Sequence, residues 1–430
     1  MQAWLTLPYG AAARAIEWIA RAAPASGTSK LARGLARRRD ALGRYRAWAT
    51  ANRDPSRPLV WMHAASVGEG LMTAPILARI RRALPRAQLV YTYFSPSAEA
   101  FADRVTADFA DYLPFDTAHA AREALDALQP TVLAYVKGDV WPVLTAAAAS
   151  RNVRLALLSA SVPERSRRVS TLGSLVTRDA YAALDLAGAA STEDAALLVR
   201  AGARADRVRV TGDTRYDQAW ERAHTSPRNA DLVARLRSER PTVVAGSTWP
   251  GDERALLPAW ERVRTSVPDA RLVIAPHEPH ESQLVRVERW STAHALRAAR
   301  IDAADAAHSD VVLVDRMGIL ADLYALATAA YVGGGFHAAG LHSLVEPAVF
   351  RVPTVIGPQR AASRDARLML AAGGVIGIAD AAGLASALTT LLTNASEHDA
   401  RADAMSSVVA AELGAAERSF EIVRELLGTV

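Results

Sequence analysis

The chain has 430 residues, half of them hydrophobic, no cysteine, and a formal net charge of +5. That length and apolar content suffice for a sizeable core, in two domains rather than one, and exclude a disordered or fibrous chain. The lack of cysteine excludes a disulfide framework, a thiol nucleophile and a cysteine-based zinc site, and suits the cytoplasm.

No apolar run reaches the ~18 residues of a spanning helix, and nothing resembles a cleaved signal peptide, so a soluble or peripheral protein is expected. The N-terminal stretch AWLTLPYGAAARAIEWIARAA carries Trp4, Leu5, Leu7, Tyr9, Ile16, Trp18 and Ile19 with few charges. Lys30, Arg33, Arg37, Arg38, Arg39, Arg44 and Arg46 follow, against Asp40. An apolar helix with interfacial tryptophans and a polybasic segment, each cation worth roughly 1 kcal/mol near anionic lipid, together fit docking on a membrane surface. The plainer reading is a helix packed on its own domain with a solvated basic face. Nucleic acid is not an expected partner, because the balance is only +5 and no nucleic-acid motif accompanies it. Residues 1–54 are set apart as this helix and basic segment.

From Pro58 short apolar runs alternate with helical patterns. LVWMHAA, AQLVYTYF, TVLAYV, VRLALLSA, LDLAGAAS and RVRVTG read as strands; GEGLMTAPILARIRRAL, SAEAFADRV and VWPVLTAAAA read as helices between them. Runs of this length separated by helix-length segments predict parallel strands with crossovers, a Rossmann-like sheet over residues 55–217. The polar stretch WERAHTSPRNADLVARLRSERP reads as a connection. The alternation restarts at TVVAGS and continues through ARLVIAP, DVVLVD, ATAAYVGGG and VPTVIGP, giving a second such domain over 218–430 whose last helix is free to pack back on the first. Two sheets facing one another are expected to bring the carboxyl ends of their strands to one interdomain cleft, where open α/β sheets bind ligands.

The motifs sit at strand ends. HAASVGEG leaves Ser66, Gly68 and Glu69 on the turn into a helix, where a carboxylate can take a proton from an acceptor hydroxyl or serve as an ordinary helix-dipole partner. In LAYVKGDVWPVL, Lys137 and Asp139 follow a strand; among 50 lysines and arginines only Lys30 and Lys137 are lysine. VTGDTRYD sets Arg215 near the end of the first domain, facing a phosphate or lying on the surface. IAPHEPHE ends a strand with Pro276, His277, Glu278, His280 and Glu281, without the H-E-x-x-H order of a zinc site, so polar contacts to a phosphate or base are expected and no metal. DRMGILADLYALA puts Met317 and Gly318 past a strand, where backbone groups can read a base edge, although a methionine there also reads as core. In YVGGGFHAAGLHSLVEPAVF, Gly333, Gly334 and Gly335 allow close backbone approach to a ligand; His342, Ser343 and Glu346 begin a helix with free N–H groups for a phosphate, and Glu346 can accept from a ribose. The spacing is not a dinucleotide fingerprint.

HAASVGEG, YFSPSAEA, YLPFDT, VKGDVWP, STEDAALL, VTGDTRYD, GSTWPGDE, DRMGILADLY, YVGGGFHAAGLHSLVEP and VPTVIGP, in this order across nearly the whole chain, resemble the Kdo transferases. These enzymes of lipopolysaccharide assembly move 3-deoxy-D-manno-octulosonic acid (Kdo) from CMP-Kdo onto a lipid A precursor. The resemblance implies a GT-B fold, with acceptor domain first and donor domain second, inversion at the anomeric centre, and no cofactor or metal. It implies the catalytic base at Glu69, a transition-state cation at Arg215, and donor contacts at Ser66, Gly68, Ser247, Thr248, Pro276, His277, Met317, Gly318, Ile319, Gly334, Gly335, His342, Ser343 and Glu346. It also implies the cytoplasmic face of the inner membrane as the place of work. The chain departs from many members where Lys137 and Asp139 stand for a pair of acidic residues, others having lysine at that point, and from the common form where His277 replaces an arginine and where Gly340, Leu341, His342 and Ser343 replace G-G-H-N.

On this reading Lys137 joins the catalytic group with Asp139, its ammonium pairing with the Kdo carboxylate, a lipid A phosphate, Glu69 or Asp139, a role arginine fills poorly because it is longer and planar. Two rivals stay open: a GT-B enzyme with a UDP-sugar donor and another lipid acceptor, and a non-catalytic nucleotide- or membrane-binding module.

Overall fold

The computed structural model of the chain describes residues 9, 11–18, 30–161, 171–224 and 229–428. The chain divides into two compact units, Met1–Gln218 with Leu413–Val430, and Ala219–Glu412.

Seven strands build the first unit: β1 Leu59–His63, β2 Gln88–Tyr93, β3 Phe109–Tyr112, β4 Val132–Val136, β5 Arg154–Ala160, β6 Leu186–Ala189 and β7 Val208–Val210. They pair in parallel in the order β3-β2-β1-β4-β5-β6-β7. The inner strands are mostly apolar because both faces are covered, and successive residues serve opposite cores. Leu59, Trp61, Leu133 and Tyr135 pack on one face with Tyr45, while Val60, Met62, Ala134 and Val136 pack on the other with Ile76, Phe420 and Val423. The final helix Ala415–Leu426 therefore lies within this unit, its entry tied by Asp217, whose carboxylate accepts from Gly414 and Ala416 N–H at 3.0 and 3.1 Å.

The second unit repeats the plan with β8 Thr242–Thr248, β9 Arg271–Pro276, β10 Ala298–Arg300, β11 Val311–Leu313, β12 Ala329–Val332, β13 Thr354–Ile356 and β14 Val375–Gly377. The order is β10-β11-β9-β8-β12-β13-β14, again parallel. Two doubly wound parallel sheets are the α/β, GT-B class that the resemblance implies. The first sheet reverses its winding between β1 and β4; in the second the connections leaving neighbouring β8 and β12 likewise run to opposite sides, and the chain also turns back from the edge strand β10 to β11. At such a reversal adjacent loops splay to opposite faces and leave a crevice beyond the strand ends.

Three strands, β3, β10 and β14, have no counterpart in the sequence reading. All three are edge strands of three or four residues, too short and too mixed to show the buried pattern. The polar stretch read as a connection is itself partly helical: Thr214–His224 runs past the unit boundary, and Ala230–Leu236 follows.

At the N-terminus, residues 11–18 are helical, and Trp4, Leu5, Leu7 and Ile19 lie outside the described residues. Tyr9 donates its hydroxyl to Asp116 at 2.8 Å, and Thr117 donates to Glu17 at 3.2 Å. Ile16 and Trp18 remain exposed. The basic segment is not a uniformly solvated face. Arg44 pairs with Asp111 at 2.7 Å, Arg46 with Glu123 at 2.9 Å, and Arg38 is buried. No helix among the described residues is long and apolar enough to cross a membrane.

Candidate active site

In the first unit the candidate groups gather at the winding reversal. Ser66 occupies the N-cap position of the helix Val67–Ala83 that leaves β1, without a capping hydrogen bond from its side chain, and Glu69 falls in the first turn. One carboxylate oxygen, Oε2, accepts the Ala65 N–H at 2.8 Å; the other, Oε1, lies 3.7 Å from Lys137 Nζ. Lys137 leaves the neighbouring strand β4 with φ 68°, a left-handed conformation rare for a side-chain-bearing residue. Gly138 N–H closes back on Val136 O at 2.9 Å, and Lys137 is stitched to the end of β5 through Leu158 O and Ser161 N, each at 3.0 Å. The turn thus overrides the residue's own preference and delivers a half-exposed ammonium to the carboxylate. Asp139 follows on the same loop, half-buried.

Beneath this pair runs a chain of ring contacts. Trp141 donates its indole N–H to His63 Nε2 at 3.0 Å, while His63 Nδ1 and the Trp61 indole both meet Thr92 Oγ1, at 3.1 and 2.8 Å. His63 is fully buried, and burial, helped by the charge of Arg38, pulls its pKa down to about 3. A neutral ring keeps Nε2 as an acceptor and assigns the proton to Nδ1, facing Thr92. Phe94 stacks on Trp141 with centroids 5.2 Å apart, and Phe94 and Ser95 donate to Ala65 O at 3.1 and 2.7 Å.

The second unit gathers its groups at the exits of β9, β8 and β12. Trp249 stacks on His337 at 4.0 Å and on His277 at 4.8 Å, and His277 stacks on His342 at 4.4 Å. Trp249 donates its indole N–H to His342 Nε2 at 3.0 Å; burial, then His277 and His337 nearby, lowers the His342 pKa to about 4. Asp252, fully buried, fixes the surrounding loops by accepting from Trp249 N, Gly334 N and Phe336 N at 2.9, 2.8 and 3.1 Å and from the Tyr331 hydroxyl at 2.8 Å. Ser247 turns out of β8 with φ 53°, and buried Thr248 donates to Glu253 at 3.3 Å while its carbonyl accepts from His277 N–H at 3.0 Å.

Several expectations change. The three glycines after β12 approach the chain's own backbone rather than open space. A Cβ on Gly333 would stand 2.3 Å from Ser247 O, one on Gly334 2.2 Å from Gly340 O, and one on Gly335 2.6 Å from Gly357. His342 and Ser343 precede the helix instead of starting it; the helix is the five residues Val345–Val349, and Ser343 Oγ accepts its first N–H at 3.3 Å. Glu346 is its second residue. Met317 is not core but 67% exposed, beside Gly318, whose carbonyl accepts from Arg222 at 3.1 Å, while Ile319 is buried. The HEPHE run scatters: His277 enters the stack, Glu278 and His280 are exposed, and Glu281 binds Arg300 at 2.6 Å. No group of three or more His, Asp or Glu among the described residues is arranged to hold a metal ion.

Arg215 stands apart from the Glu69 group within its own sheet. It follows β7, three strands from β4, roughly 14 Å at the usual strand spacing. Its Nε donates to Asp213 at 2.8 Å. Sequence reasoning did not single out Trp249, Asp252 and His337 in the second unit, or His63, Phe94, Trp141 and Arg38 in the first. Only Asp252 carried a local signal, an aspartate three residues after the residue that caps a helix.

Residues 36–218 match the sequence model of a family described as 3-deoxy-D-manno-octulosonic-acid transferase (kdotransferase). Over 383 residues the chain is 29% identical to a 3-deoxy-D-manno-octulosonic acid transferase of Bordetella pertussis, covering 86% of this chain and 87% of that one. Over 399 residues it is 23% identical to the transferase of that name from Haemophilus influenzae, covering 89% and 90%. The chain is a glycosyltransferase related to the Kdo transferases. Among solved structures, the UDP-GlcNAc 2-epimerase of Neisseria meningitidis bound to UDP-GlcNAc superposes with a TM-score of 0.63 at 12% identity, covering 86% of this chain and all of that one. At that identity the likeness carries the fold alone. The Glu69–Lys137 pair falls inside the matched segment 36–218, as do Trp141 and His63 beneath it.

Proposed function

We propose that this transferase moves Kdo from CMP-Kdo to a lipid A precursor in lipopolysaccharide assembly, with inversion and without a metal. The observation that carries the reading is the Glu69–Lys137 pair at the winding reversal of the first sheet. Glu69 is held by one oxygen on Ala65 N–H, leaving Oε1 to take the proton of a lipid hydroxyl as that oxygen attacks the anomeric carbon. The bond from that carbon to the CMP phosphate breaks, and CMP leaves with the electron pair. Lys137 meets the Kdo carboxylate or a lipid phosphate. The loops fixed by Asp252, with the Trp249, His277 and His342 rings and the Ser247, Gly334 and Gly335 backbone, hold the donor. In this reading Met317, Gly318 and Ile319 meet the base, and Ser343 and Glu346 the ribose or phosphate. Asp139 adds to the charged set beside the pair, and Arg215, which follows β7, meets a phosphate away from it.

In the same proposal the protein works on the cytoplasmic face of the inner membrane, and exposed Ile16 and Trp18 support docking there. Deleting residues 1–24 then weakens sedimentation with liposomes; unchanged binding sinks the anchoring idea. For the chemistry, Glu69→Gln is expected to keep CMP binding and lose ~10²–10⁴ in turnover. Near-normal turnover removes Glu69 as the base. A melting shift with CMP and none with UDP separates this reading from a UDP-sugar enzyme of the same fold.

A further inference from the structure

Arg38, the last residue of the helix Lys30–Arg38, is 6% exposed. Among the described residues no carboxylate meets its guanidinium, and its Nε has no hydrogen-bond partner. Burial alone pulls its pKa down, to about 10. An unpaired buried cation is destabilising, and an apolar side chain of similar volume is commonly the more stable choice. The other deeply buried arginine among the described residues has more hydrogen bonds. Arg271 donates Nε to Thr242 Oγ1 at 3.2 Å and Nη1 to the carbonyls of Leu236 and Ala307 at 2.8 and 3.2 Å.

What Arg38 does hold is one loop. Its Nη2 donates to Phe94 O, and its guanidinium lies 3.5 Å from the centroid of the Phe94 ring, with Tyr112 and Phe115 at 5.6 and 5.8 Å. Phe94 is the junction of the site. Its backbone binds Ala65 O, one residue from the N-cap and beside the N–H that holds Glu69, and its ring stacks on Trp141, which closes the Lys137 loop. The charge also adds to burial, the larger cause, in disfavouring protonation of His63, whose Nε2 accepts from Trp141.

We propose that Arg38 is a positioning residue for the Glu69–Lys137 pair, acting through Phe94 on the loops that follow β1 and β4. This rests on the reading of Glu69 as the base. Burial without a carboxylate partner is costly, and at Arg38 that cost accompanies the hold on Phe94 and the loops of the pair.

The test compares Arg38→Met and Arg38→Lys with the wild type in the full-length protein. Amide hydrogen exchange of segments 64–69 and 137–141 is read in the absence of substrate, together with melting temperature. In Arg38→Met those two segments are expected to exchange at least ten-fold faster while the core strands keep their protection and the melting temperature is unchanged or higher. With CMP-Kdo and lipid acceptor, kcat falls ten-fold or more with donor KM within two-fold, and Arg38→Lys recovers part of both losses. Unchanged protection of the two segments overturns the proposal, as does a lower melting temperature with faster exchange across the whole first sheet. Exchange needs no turnover, so a wild type that transfers no Kdo fails the functional reading separately.

Discussion

Lys137 Nζ stands 3.7 Å from Glu69 Oε1, and Lys137 reaches that place on a left-handed backbone with φ 68°. Glycine takes this conformation without strain, whereas an L side chain pays roughly 1–2 kcal/mol, part of which glycine returns through unfolded-chain entropy. Lys137→Gly is therefore expected to melt higher than Lys137→Ala by about 0.5–1 kcal/mol of stability. Both variants lose turnover ten-fold or more. Equal melting of the two would show that the backbone at this position carries no strain, and normal turnover of both that the ammonium has no part in the reaction.

Gly68 is exposed in the first turn of the same helix, and a Cβ added there meets nothing within 4 Å. Alanine at a helical position is favoured over glycine by up to ~1 kcal/mol. Neither packing nor conformation calls for the glycine, which leaves close approach of a substrate. Gly68→Ala should raise the melting temperature and raise a substrate KM several-fold. A variant that is both more stable and unchanged in KM would show that no substrate comes against this turn.

Asp252 accepts four hydrogen bonds in a fully buried position and so joins the Trp249 turn to the Gly334 loop. Asparagine would turn an N–H₂ toward at least one of these donors, leaving it unsatisfied at a cost of about 1–3 kcal/mol. Asp252→Asn is expected to lower stability by that order and to weaken CMP binding ten-fold or more in isothermal titration. CMP affinity within two-fold of the wild type would place the nucleotide elsewhere.

His63 gives the first unit a defined acid sensitivity. Its folded pKa of about 3 lies below the ordinary value of 6.5, so the unfolded chain takes up the proton first. The stability gained from the neutral ring is complete above about pH 6.5 and falls by ~1.4 kcal/mol per pH unit as the pH drops toward 3. His342, held near 4, adds the same sign of dependence in the second unit. Chemical denaturation at pH 7, 6 and 5 should show a shallower decline in His63→Gln than in the wild type. Equal slopes would mean that His63 is protonated in the fold.

The alternation of apolar runs was enough to read both parallel sheets, because strands buried on two faces hold few polar residues to obscure the pattern: Leu59–His63 and Val132–Val136 are buried at every position, and His63 is the one polar side chain in either. Edge strands such as Ala298–Arg300 hide because half their surface faces water. At the site, Glu69 and Lys137 were legible as residues on turns, since a turn needs only local sequence. Their pairing was one of four options until β1 and β4 were seen side by side. The ring stack of Trp249, His277, His337 and His342 joins residues up to 93 apart, and nothing local announces such a meeting. The GGG run has a related limit: a glycine shows that something comes close, and here the chain itself, at Ser247 and Gly357, already does.

The central claim is tested most directly by incubating the purified protein with CMP-Kdo, generated in situ because it is labile, and a tetraacyl lipid A precursor, then weighing the lipid by mass spectrometry. The account predicts a product heavier by one or more Kdo units in the wild type and none in Glu69→Gln. A wild type that binds CMP yet adds no Kdo to the lipid would contradict it.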